Sequence, residues 1–159
     1  MKNRFLNKLK EEGKLELVEP SENICNSYTT KSSDCLKSAK LLLQNNLFEN
    51  SISMSYYAMY NILLALLFRT GIKCENHSGS IILLRTIFER ADLYNLIANA
   101  KKERIDKQYY ISTEKDAITK EIADELLNQA EDFVLETRVI IKKLGEDSIN
   151  KFREALRAV

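Results

Sequence analysis

ISMSYYAMYNILLALLF (residues 52–68) holds only three polar residues, Ser53, Ser55 and Asn61. Seventeen residues lie at the lower limit for crossing a bilayer, and four aromatic rings crowd the run. A helix buried on most sides by its neighbours explains such a composition better than a membrane span. The run continues through Arg69 and Thr70 to Gly71, a natural residue just past a helix C-terminus. The fold is therefore expected to be built around a central apolar helix from about 49 to 70.

Upstream, Ser21 offers an N-cap after Pro20. From there Ile24, Tyr28, Ser32, Cys35, Leu36, Ala39, Leu42 and Leu43 recur at helical spacing as far as about Asn45. QNNLFEN (44–50) reads as the turn between these helices. Residues 3–12 suit a short helix ending at Gly13, with Phe5, Leu6 and Leu9 on one side, and LELVEP (15–20) an extended connector.

Downstream, IKCENHSG (72–79) reads as a loop. Ile81, Leu84, Ile87 and Phe88 mark a third helix, and Leu93, Leu96, Ile97 and Ala100 a fourth that runs out near KKERIDK. Ser112 or Thr113 should cap the next, where Glu114 and Asp116 suit the helix dipole. Its core face is Ile118, Ile122, Leu126, Ala130, Phe133 and Ile140. The stripe Ile149, Phe152, Leu156 and Val159 closes the chain, apolar enough to pack on the bundle or on a partner. The predicted class is all-α, an antiparallel up-and-down bundle of four to five main helices with short helical appendages at both ends.

Composition agrees. The 159 residues suit one domain, and four glycines and one proline leave few turns. A formal charge of +1 argues against indiscriminate coating of nucleic acid, so any such contact must be local. Cys25, Cys35 and Cys74 form no CxxC pair, so neither a disulfide framework nor a zinc site is indicated. MKNRFLNKLKEEGK lacks the apolar core of a signal peptide, and a cytoplasmic protein without membrane contact is the expectation.

The glycines at 13, 71, 79 and 145 make no phosphate-cradling loop. The single histidine, His77, rules out a two-histidine metal site within one chain, and no GxSxG supports a triad. No cofactor is expected. Two constellations remain. Tyr56, Tyr57 and Tyr60 occupy core-like positions on the apolar helix, and His77 opens the next helix, where anions can bind. In KKERIDKQYY (101–110), Lys101, Lys102, Arg104 and Lys107 precede Tyr109 and Tyr110. Such a cluster suits a solvated helix end or a phosphate-and-base contact equally.

YYAMY (56–60), ALLFRTG (65–71) and HSG (77–79) resemble the HEPN domain family, in particular the small stand-alone prokaryotic proteins that accompany minimal nucleotidyltransferases. GKLELVEPS (13–21), the Asp34–Leu43 segment and AEDFV (130–134) extend the resemblance over 13–144, leaving 146–159 as an amphipathic helix. The resemblance implies a helical bundle, commonly a homodimer. It also implies metal-independent ribonuclease, toxin or RNA-processing activity, with a nucleotidyltransferase antitoxin as a partner.

The family motif is an arginine, four to six residues, then a histidine. Arg104 matches the arginine, whereas Tyr109 stands at the histidine position and Ile105 where asparagine is common. Histidine moves protons well near neutral pH; a phenol is ionised in only about one molecule per thousand there. Arg104 remains able to bind a phosphate. The expected function is thus a dimeric module that binds RNA, nucleotide or a nucleotidyltransferase through a degenerate ribonuclease motif. The binding residues are Lys101, Lys102, Arg104, Lys107, Tyr110 and His77. The alternatives are an active endoribonuclease toxin using Arg104 with Tyr109 or His77, and a helical scaffold whose tail docks a partner.

Overall fold

The structure, a computed structural model, describes residues 3–109 and 116–159, and the side chains of 3–106 and 119–159. Seven helices and one two-stranded ribbon make up the described residues: α1 (Arg4–Glu11), β1 (Leu15–Leu17), α2 (Glu22–Gln44), α3 (Phe48–Arg69), β2 (Ile72–Cys74), α4 (His77–Thr86), α5 (Ala91–Tyr109), α6 (Asp116–Lys143) and α7 (Glu146–Ala158). The predicted all-α bundle is found, with α3 at its centre.

Helix α3 buries Ile52, Tyr56, Met59, Ile62, Leu63, Leu66 and Leu67 completely and packs on α2, α5 and α6. By length and composition it is apolar enough to cross a membrane, yet 67% of its most apolar window is covered by the rest of the chain. That coverage is the property of a core helix. Phe133, wholly buried on α6, belongs to the same core as Leu126 and Ala130.

Small residues draw α2 and α3 together. Ser32 Oγ donates to the Ala58 carbonyl at 2.7 Å, and Ser51 Oγ to the Ala39 carbonyl at 2.8 Å. Each hydroxyl is wholly buried and finds its acceptor on the neighbouring helix, which keeps the seam free of that desolvation cost. Ser21 caps α2 as expected, accepting from the Ile24 amide at 3.1 Å. Ile24 itself is 40% exposed, and Cys25, one position on, takes its place in the core.

The expected extended connector and the expected loop pair with each other. β1 and β2 run antiparallel, Leu15 opposite Cys74 and Leu17 opposite Ile72. Three residues are too few for alternation to be seen in sequence. Both are held by what flanks them: the Val18 amide donates to the Gly71 carbonyl at 2.9 Å and the Glu75 amide to the Lys14 carbonyl at 2.8 Å.

The chain's ends lock this ribbon. In α7, Ile149 and Leu156 are buried, and the Phe152 ring lies 4.7 Å from that of Phe88. Arg153 Nη1 donates to the carbonyls of Val18 at 2.7 Å, Gly71 at 2.8 Å and Thr70 at 3.3 Å. A cation from the last helix thereby caps the negative end of α3. Of the two sites open to the terminal stripe, the bundle is occupied. At the other end, Lys10 Nζ donates to the Leu156 carbonyl at 2.6 Å. Leu9 of α1 presses so closely on Gly79 that a Cβ there would come within 2.5 Å of its Cδ1.

Candidate functional site

Helix α5 does not run out at KKERIDK but carries it, continuing to Tyr109. Lys101 and Arg104, three residues apart, share a helix face. Lys101 Nζ donates to Ser78 Oγ at 2.6 Å. Arg104 Nη1 donates to the Tyr57 hydroxyl at 3.1 Å, and its guanidinium carbon lies 5.1 Å and 5.3 Å from the ring centres of Tyr56 and Tyr57. Its Nε is buried with no acceptor among the described residues. Among the described residues no carboxylate pairs with Lys101, Lys102 or Arg104.

His77 is the first residue of α4, set there by Asn76, whose side chain accepts from the Gly79 amide at 2.8 Å. Although exposed, its ring is fixed twice. One face stacks on Tyr60 at 3.9 Å and 14°, and Nδ1 is hydrogen-bonded to the Tyr56 hydroxyl at 2.9 Å. His77 and Arg104, on different elements, therefore meet around Tyr56. The chain that joins them is Arg104 on Tyr56, Tyr56 to His77, and Lys101 on Ser78.

Tyr56 is wholly buried, and burial pushes its phenol well above the ordinary range, with the neighbouring Tyr60 adding to the shift against the pull of Arg104. The phenol stays protonated and needs an acceptor. His77 Nδ1 lies at hydrogen-bond distance; with the phenol donating to it, the neutral imidazole carries its own proton on Nε2. Partial burial, then Lys101 and Arg104, hold the His77 pKa below its usual value. The exposed edge of the histidine is accordingly an N–H donor at neutral pH. With the ammonium of Lys101 and the guanidinium of Arg104, the site presents donors and positive charge.

Because this is the only histidine, its titration is unambiguous. An NMR titration is expected to give a midpoint below the usual 6.5, with the nitrogen shifts of the Nε2–H tautomer above it. The linkage sign follows. The unfolded chain takes up this proton first, so the His77 contribution to stability is full above about 6.5 and is lost as pH falls toward the folded midpoint. A midpoint at or above 6.5 would refute this charge arrangement.

Of the residues singled out in the sequence, Lys101, Arg104 and His77 converge. Lys102 is exposed and makes none of these contacts. The side chains of Lys107, Tyr109 and Tyr110 lie outside the described residues, as do the Ser112 and Thr113 caps. Tyr56 and Tyr60 are in the core as read, but their polar tips and ring faces form the floor of the site; Tyr57 and Ser78 complete it. Three phenols on a helix that Leu or Ile would fill equally well were the available signal. Among the described residues no three carboxylate, thiol or imidazole groups gather to hold a metal.

Comparison with known proteins accords with this layout. The family model described as HEPN domain matches residues 26–140, from the first turns of α2 to near the end of α6. A "UPF0332 protein" of Thermotoga maritima is 30% identical over 74 residues, 46% of this chain and 56% of that relative. The chain thus matches little more than half the length of this curated relative. With the family match covering most of the chain and all of the helices that carry the site, the protein belongs to the HEPN domain family.

Proposed function

We propose that this HEPN protein binds a phosphate-bearing ligand, RNA or nucleotide, at the Tyr56–His77–Arg104 cluster and holds it without cutting it. The observation that carries the reading is the pair of cations, Lys101 and Arg104, set beside His77 with no carboxylate among the described residues paired to either. An anion would complete the half-buried guanidinium with charge-assisted hydrogen bonds.

Cleavage of RNA without a metal needs a group to take the 2′-hydroxyl proton. His77 offers a filled nitrogen at its exposed edge, and Tyr109 stands where the family motif has histidine. Both facts favour binding over turnover. A second copy of the chain and a nucleotidyltransferase, in a toxin–antitoxin setting, are the partners the family resemblance implies, and they form part of this proposal.

The test is a pair of assays with chelator present: polarisation of labelled single-stranded RNA, and RNA cleavage. Wild type is expected to bind and leave the RNA intact, and Tyr109→His to gain cleavage. Cutting by wild type that Arg104→Ala abolishes would make the protein a ribonuclease instead. Absence of RNA and nucleotide binding would overturn the proposal outright.

A further inference from the structure

The His77 ring is held more firmly than an exposed side chain ordinarily is. Its inner face lies on Tyr60 at 3.9 Å, Tyr60 in turn is stacked with Tyr56 at 6.1 Å and 16°, and the Tyr56 hydroxyl pins the Nδ1 edge. Both tyrosines are buried in the core. His77 is otherwise an exposed residue, and its ring orientation is already fixed, so a flat ligand laid on the face opposite Tyr60 incurs little ordering cost. Beside it stand Lys101, bonded to the next residue along, and Arg104. A fixed aromatic plane next to two cations matches a planar base joined to a phosphate.

We infer that His77 is the stacking platform for an unpaired nucleobase whose phosphate lies on Lys101 and Arg104. The inference rests on the binding reading above and narrows it. The ligand is single-stranded RNA or a free nucleotide, because a base within a duplex has no face to offer. Stacking tolerates any base but favours the larger purine surface.

The experiment compares a short oligoadenylate, the same strand annealed to oligouridylate, and inorganic tripolyphosphate, using wild type, His77→Phe and His77→Gln. Phenylalanine keeps the ring and loses the polar edge; glutamine does the reverse. The ratio of oligoadenylate to tripolyphosphate affinity cancels the shared loss of the Nε2–H donor. That ratio is expected to stay within about 3-fold of wild type in His77→Phe and to fall about 10-fold or more in His77→Gln. The duplex should gain nothing over tripolyphosphate. Independently of any variant, oligoadenylate should move the His77 ring protons upfield in the wild-type NMR spectrum.

Equal ratios in the two variants, or no ring shift, would overturn the platform. Tripolyphosphate binding without added affinity for oligoadenylate would remove the platform and leave the phosphate site standing. Failure of wild type to bind any probe would sink both.

Discussion

Gly71→Ala is expected to lower stability by about 3–4 kcal/mol, equivalent to roughly 10 °C in Tm for a chain of this size. Gly71 has φ +71°, and a β-carbon there would collide with the Val18 carbonyl and Arg153 Nη1 and touch Pro20 Cδ at 3.0 Å. The left-handed backbone accounts for about 1 kcal/mol of the loss. The remainder comes from driving Arg153 off the carbonyls it caps. Gly13 supplies the control, because it shares the conformation at φ +70° but has nothing within 4 Å of a Cβ. Gly13→Ala should therefore lose only about 1 kcal/mol. Urea unfolding of both variants decides the matter: equal losses would mean that Arg153 contributes little to holding the ribbon.

Arg104→Ala should separate the two measurable quantities, affinity and stability. Affinity for single-stranded RNA is expected to fall about 30-fold, the loss of charge-assisted hydrogen bonds worth about 2 kcal/mol. Stability should barely move. Arg104 gives up one bond to Tyr57 and its contact with two rings, but its buried Nε has no partner among the described residues, and removing it relieves that desolvation. Arg104→Lys should bind nearly as poorly as alanine, since an ammonium has no planar fork to lie across Tyr56 and Tyr57. Thermal melts set beside polarisation isotherms test this. A Tm that drops together with the affinity would make Arg104 a structural residue.

These two positions were unequally legible in the sequence. The apolar run 52–68 and the periodicity of α2 and α6 carry the bundle, since burial on long helices repeats often enough to be read. β1 and β2 do not, because three residues cannot show a period and the contacts that hold them include Arg153, which arrives from α7. Arg104 could be picked out by its place in the motif. Its meeting with His77 could not, because it depends on how α5 lies against α3 and α4. The tyrosines were legible as core, and Tyr56 and Tyr60 are buried there; that the hydroxyls of Tyr56 and Tyr57 also meet His77 and Arg104 is a contact between elements, which spacing does not report. Lys102 shows the converse, a charge in the same sequence cluster that stays exposed and apart from the contacts of Lys101 and Arg104.

The bonds that tie α7 to the rest have a consequence for the order of events during synthesis. Lys10 reaches Leu156 across 146 positions, and Arg153 reaches Gly71 across 82. The seam between α2 and α3 closes over far shorter distances and can form while the chain is still growing. The ribbon leading to His77 cannot be capped until α7 has emerged, so a nascent chain possesses the bundle before it possesses a finished site. Ligand binding should then follow the emergence of α7 rather than that of the bundle helices.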